Sequence, residues 1–234
     1  MKDLFGKAIL DYQTNNDPQD IVTETSISDP DELVLSYLFR EYEEMPQIEK
    51  LALDISKGNV LDVGCGAGSH SLYLQEVKNI NVVALDISPS AIQTCKLRGL
   101  KNTAEADLMV FEGKFDTILL LMNGAGMCGK IERMPKFLEK LKSLLADGGQ
   151  VLMDSSDIIY MFDEDVDGGK WINGENEYYG EVKYFVSYKG ESEDAFDWLY
   201  IDFENLRKVA VAIGFNCELL LEGPHYDYLA KLTL

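Results

Sequence analysis

The stretch VLDVGCGAGSH, residues 60–70, restricts the fold more than any other part of the chain. A short apolar run carrying one acid, Asp62, ends in Gly64, Gly66 and Gly68 at alternate positions. Such a run reads as a buried strand turning into a helix, because residues without a Cβ adopt left-handed backbone angles and let another molecule approach the main chain. Neighbouring segments extend the pattern. NVVALDI, FDTILLL and QVLMDSS are apolar without amphipathic spacing, as strands covered on both faces are, and KNTAEA is a weaker strand between the first two. SPSAIQTCKLRG offers Ser88 as N-cap, Pro89 at the first helical position and Gly99 as the stop. MPKFLEKLKSLLADGG sets Met134, Leu138, Leu141 and Leu145 on one helical face. Strands alternating with helices predict a parallel sheet with right-handed crossovers.

FENLRKVAVAIGF predicts a later helix with Leu206, Ala210 and Ile213 inward and Gly214 closing it. After it, CELLLEG and YDYLAKLTL are separated by so short a connector, GPHYD, that they must form a hairpin with an antiparallel last strand. The expected fold is therefore α/β: a three-layer sandwich around a seven-stranded, mostly parallel sheet. Composition divides the chain further. Residues 1–55 read as an N-terminal helical cap in which LVLSYLFREYEEM packs on the main domain, 56–155 with 202–234 as that domain, and 156–201 as an acidic, aromatic insertion. Within the insertion, EVKYFVSYKG and DAFDWLYID alternate as a β-hairpin, with Val182, Tyr184, Val186 and Tyr188 on one face and Phe196, Trp198 and Tyr200 on the other strand. A lid over the carboxyl edge of the sheet is expected there, its aromatics either lining a pocket or packing on one another. Tyr37 and Arg40 are candidates to close the site from the N-terminal side.

Open α/β sheets bind ligands beyond the carboxyl ends of their strands, so the glycine turn faces the binding crevice. Dinucleotide binding requires G-x-G-x-x-G, and Ser69 stands where its third glycine belongs. The alternating form D-V-G-C-G-A-G instead resembles the first motif of the class I S-adenosylmethionine (SAM)-dependent methyltransferases, which have a Rossmann-like fold. The resemblance runs over about residues 56–155 and returns in the terminal helix-strand-strand unit. It implies SAM as cofactor, held by Asp62, Gly64, Cys65, Gly66 and Gly68. Asp86, 20 residues beyond Gly66, would accept from the ribose hydroxyls, and Asp107, in EADL, from the adenine amine. Ile87 and Leu108 would flank the adenine ring, with Met122 and Asn123 beside the methionine portion. For Asp62 two roles stand open: facing the methionine amine, or holding the turn through its backbone amides.

A methyl group on a sulfonium is already activated, so a protein using it mainly binds and orients, and no catalytic triad is required. The N/D-P-P-Y/F signature of base and amide methylation is missing, since Asn123 is followed by Gly124, Ala125 and Gly126. With 41 acids against 21 bases and a formal charge of −20, the chain repels polyanions, which disfavours nucleic acid and points to a small-molecule methyl acceptor. Alternatives on the same fold are an aminopropyltransferase-like enzyme and a non-catalytic nucleoside-binding module. Cys65, Cys95, Cys128 and Cys217 form no C-x-x-C pair and read as reduced thiols. His70 and His225 lack metal-ligand spacing, and no metal is expected. Asp163, Asp165, Asp167 and Gly168 imitate the start of a calcium loop, but Gly174 stands at position twelve where a bidentate glutamate is required. No apolar run is long enough to span a bilayer and the N-terminus has no signal pattern, so a cytoplasmic protein without a membrane partner is expected.

Overall fold

The computed structural model describes residues 2–162 and 178–234; the calcium-loop-like run 163–175 lies outside them. The N-terminal part contains helix α1 (Leu4–Thr14), strands β1 (Ile21–Thr25) and β2 (Ser28–Leu33), and helices α2 (Leu35–Leu38) and α3 (Gln47–Ile55). Then follow β3 (Val60–Val63), α4 (Ser69–Glu76), β4 (Val82–Asp86), α5 (Pro89–Leu97), β5 (Thr103–Glu105), β6 (Phe115–Leu120), α6 (Met134–Leu144) and β7 (Leu145–Ser156). The insertion supplies β8 (Glu181–Tyr188), β9 (Glu191–Ser192) and β10 (Phe196–Leu199), and the chain ends in α7 (Phe203–Ala212), β11 (Asn216–Glu222) and β12 (Asp227–Thr233).

Seven strands form the expected sheet, in the order β11-β12-β7-β6-β3-β4-β5. Only β12 runs antiparallel, paired on one side with β7 and on the other with β11. Sheet residues alternate between two cores. Leu61, Leu85 and Ile118 face α6 and α7, packing on Leu138, Leu141, Leu206 and Ala210. Val60, Val82 and Leu119 face α3 and α4, packing on Ile48, Leu53 and Leu74. Burial on both faces explains why these strands read as uninterrupted apolar runs.

The helix boundaries follow the local signals. The Ala91 amide donates to Ser88 Oγ at 3.0 Å to cap α5, and Gly99 has φ +96° just past its end. Leu145 departs from expectation: it is the first residue of β7 rather than the last of the α6 stripe.

The larger correction concerns the N-terminal part, which is not wholly helical. β1 pairs with β2 and with β8, so the insertion is more than a hairpin: β10, β8, β1 and β2 form a second, antiparallel sheet with β9 attached to β8. Only Ile21 is buried within β1 and no residue of β2 is, so neither strand carries an apolar pattern to read. Pro30 is tolerated because β2 is an edge strand.

This second sheet and α1 cover the carboxyl edge of the main sheet. Leu4, Ala8 and Ile9 of α1 pack with Ile21, Val186 and Tyr188 against Ala67 of the glycine turn. On the other side the Trp198 indole lies so close to Gly126 that a Cβ at that position would fall inside the ring. Gly126→Ala should therefore lower unfolding stability by about 1–3 kcal/mol in urea titrations, the usual cost of overpacking; wild-type stability would show that this contact is dispensable.

Candidate active site

Beyond β3 the chain turns through Gly64, Gly66 and Gly68 with φ of +71°, +52° and +82°. The end of β4 fixes this turn. The Leu85 carbonyl accepts the Gly64 amide at 2.8 Å and the Cys65 amide at 3.1 Å, and Asp86 Oδ2 accepts the Gly66 amide at 2.9 Å. A Cβ on Gly68 would meet Leu100 and Cys95 at under 3 Å, so that glycine serves packing. Over Gly66 the one neighbour within 4 Å is Ile9 Cδ1 at 3.9 Å, so space remains beside exposed main chain. A nucleoside cofactor needs such a cradle.

The predicted ligand residues are placed unequally. Asp86 is half-buried; burial raises its pKa, and besides the Gly66 bond it accepts the Ser88 amide at Oδ1. A carboxylate has about four acceptor positions, so two remain for ribose hydroxyls. Ile87 is 58% exposed next to it and free to pack on a ligand ring. Asp107 is exposed at the end of β5, accepting only the Met109 amide, whereas Leu108 is buried in the core. Cys65 is buried with its Sγ 3.7 Å from that of Cys95; this contact and burial push its thiol pKa well up, leaving an unreactive group.

Asp62 is engaged within the protein. Its buried carboxylate accepts the Ser71 hydroxyl at 2.6 Å and so ties β3 to α4. Ser69, the departure from the dinucleotide pattern, donates to the Leu38 carbonyl at 2.9 Å and joins α4 to the N-terminal part.

At the tip of β6, Met122 and Asn123 both adopt left-handed angles, with φ +62° and +59°. Each such non-glycine residue costs of order 1–3 kcal/mol unless its surroundings enforce it. Asp154, near the end of β7, does so: its Oδ2 accepts the Met122 amide and its Oδ1 the Gly124 amide, both at 2.9 Å. Asn123 is engaged on both ends of its amide, accepting from Ser155 Oγ at 3.0 Å and donating to the Leu199 carbonyl of β10 at 3.3 Å. It joins the strand tip to the covering sheet.

Met122 and Ile48 border a cleft of about 260 Å³ that is also lined by Tyr37, Glu49, Asp154 and Asp227. Behind its wall Glu49 bonds Arg40 through Oε1 and His70 Nε2 through Oε2, the latter at 2.8 Å. Burial raises the Glu49 pKa, but its hydrogen bond and charge attraction to His70, with Arg40, outweigh that and hold it low. Burial likewise lowers the His70 pKa, and the bond to Glu49 and the nearby charge of Asp62 more than reverse this. Tyr37 lines this cleft, with the Arg40 guanidinium 3.9 Å from its ring centre, while Arg40 itself is buried in the wall. His225 sits exposed in the final turn. The hairpin aromatics pack on each other, Tyr184 with Phe196 and Trp198 at 5.5 and 5.8 Å, and do not border this cleft.

Glu49, Asp154 and Asp227 were not anticipated as site residues. Asp154 had a signal, an acid within the last residues of an apolar strand, repeating the placement of Asp86.

A doubly wound sheet with a glycine cradle, an acid at the next strand tip and a covered carboxyl edge defines a Rossmann-like nucleoside-binding protein. The profile of the methyltransferase-domain family matches residues 54–201. A crystal structure of a SAM-dependent methyltransferase from Bacteroides fragilis, in complex with S-adenosyl-L-homocysteine (SAH), is 45% identical and superposes with a TM-score of 0.92 over 100% of this chain and 95% of that one. The chain belongs to the class I SAM-dependent methyltransferase family.

Matches to curated relatives are shorter. The ribosomal protein L11 methyltransferase of Thermosipho melanesiensis is 29% identical over 111 residues, 45% of this chain and 41% of that protein. The 2-heptyl-1-hydroxyquinolin-4(1H)-one methyltransferase of Mycobacteroides abscessus is 42% identical over 71 residues, 26% of this chain and 31% of that protein. The chain therefore spans less than half the length of these two relatives.

Asp154 generates a pH prediction. Burial pushes its carboxyl up to about 7, above the 3.8 of a free aspartate, so the protonated form favours the folded state. The stabilisation is complete below about pH 4 and is lost as pH rises through 7. Across pH 5 to 8 the wild-type Tm should fall more steeply than that of Asp154→Asn; parallel curves would contradict this assignment.

Proposed function

We propose that this chain transfers a methyl group from SAM to a small molecule bound in the cleft between α2, α3 and the tips of β6, β7 and β12. The observation that carries the proposal is the placement of two compartments side by side at one sheet edge: the open backbone at Gly66 with Asp86, and the cleft bordered by Met122 and Asp154. Bound SAM supplies an activated methyl on a sulfonium. The chain's part is to hold and cover. Asp86 and Asp107 accept hydroxyl and amine hydrogens, Ile87 packs on the ring, and α1 with the second sheet keeps water out. Orientation of this kind is worth an effective molarity of about 10⁵–10⁸ M.

A small acceptor is supported by the cleft's volume, by the charge of −20 and by the use of the N-G-A-G segment. Its glycines receive Trp198 and the Leu120 side chain, so the loop serves packing instead of gripping a base or an amide. The N-terminal part and the insertion act together as one cover over both compartments.

Asp86→Ala should weaken SAH binding about ten-fold, near 1.4 kcal/mol, as expected for loss of hydrogen bonds to a charged group. Calorimetry giving an unchanged Kd would remove Asp86 from the site. Incubation of cell-extract metabolites with methyl-labelled SAM, followed by mass spectrometry, should yield one labelled small product. An aminopropyl-bearing product instead, or SAM binding without any labelled product, would redirect the assignment.

A further inference from the structure

We propose that the acceptor is a compact amine, held in the cleft as its ammonium ion by Asp154 and Asp227; this rests on the reading of the cleft as the acceptor compartment. The argument begins with an unbalanced charge. Asp154 is 8% exposed, and among the described residues no lysine, arginine or histidine lies within ion-pair distance of it or of Asp227. Its two bonds to backbone amides satisfy one acceptor position on each oxygen, and His70 attracts it only from beyond ion-pair distance. A buried carboxylate without a counter-ion costs several kcal/mol, so such groups are found paired, protonated or waiting for a cation. Asp154 stands at the wall of an open cleft, where a cation can reach it.

The other ionisable groups facing Asp154 do not supply that cation. Arg40 and His70 are both committed to Glu49, and Arg40 also donates to the Tyr37 carbonyl. The attraction of Glu49 and Asp62 holds the His70 proton, so these charges are engaged with one another behind the wall. Asp154 and Asp227 line the cleft with no cation within ion-pair distance among the described residues, the complement of an ammonium ion. Tyr37 lines the same space, and Ile48 and Met122 give it apolar walls. A phosphate or carboxylate would meet Asp154 and Asp227 together and be repelled. A neutral hydroxyl compound would leave the buried charge unanswered. Asp154 is held near neutrality by burial, so a bound ammonium shifts it to the ionised form.

Calorimetric titration tests this with two probe pairs of matched shape, benzylammonium with benzyl alcohol and cyclohexylammonium with cyclohexanol, at pH 8, with and without saturating SAH. The wild-type protein should bind at least one ammonium ten-fold or more tightly than its alcohol. Asp154→Asn and Asp227→Asn should each reduce that preference below three-fold. The alcohols provide the control, because they need the cleft's shape and not its charge; a collapsed cleft lowers both affinities and leaves their ratio unchanged. Equal affinity within both pairs for the wild type, or a preference that survives both substitutions, would overturn the proposal. SAH is titrated separately: ammonium preference without SAH binding would sink the cofactor reading and leave the ammonium site standing, and SAH binding without ammonium preference would do the reverse.

Discussion

The tip of β4 carries the site. The Leu85 carbonyl accepts two amides of the glycine turn, and the strand's last side chain, Asp86, accepts a third together with the Ser88 amide in the segment leading into α5. A turn made largely of glycine has many conformations open to it and loses much entropy when fixed. Three hydrogen bonds to one neighbouring strand select the conformation that leaves Gly66 bare. The cover is keyed to the same place: Gly6 of α1 lies against Ser88, Asp3 accepts the Ser90 amide at 3.3 Å, and Ile9 stands over Gly66. Cradle, ligand acid and cap are therefore tied together by direct contacts.

The tip of β7 does the corresponding work for the second compartment. Asp154 enforces two consecutive left-handed residues, and Ser155 and Asn123 extend that support to Leu199 in the covering sheet. Strain of this kind persists where function profits from a fixed loop shape. Here it directs Met122 toward the cleft. The same loop explains the N-G-A-G segment, whose small residues admit Trp198 and Leu120. What looks in sequence like a lost acceptor signature is a docking surface for the cover.

Legibility followed the range of the interactions. Ser88, Pro89 and Gly99 announced α5 because capping acts within three or four residues, and the buried strands announced themselves because both of their faces are apolar. The hairpin β11–β12 followed from the shortness of its connector. By contrast β1 and β2 give no signal: their side chains are mostly exposed, and β1 joins its sheet through β8, some 160 residues away. Asp62 was recognised as important, but its partner Ser71 was not, since a carboxylate's direction depends on which helix packs above it. Leu108 packs in the core beside the Asp107 turn, and among 41 acids nothing local distinguishes Glu49 and Asp227.

The sequence by itself determined the doubly wound sheet, the glycine turn and the acids that follow its strands, because backbone preference and apolar periodicity are local properties. Tertiary structure alone decided that residues from α2, α3, β7 and β12 share one cleft, that the N-terminal strands complete the covering sheet, and that Asp154 is buried without a counter-ion. Those outcomes depend on what each group finds opposite it after folding: a carboxylate's protonation and its choice of partner are set by desolvation and by neighbours distant in the chain, and neither is written in the residues beside it.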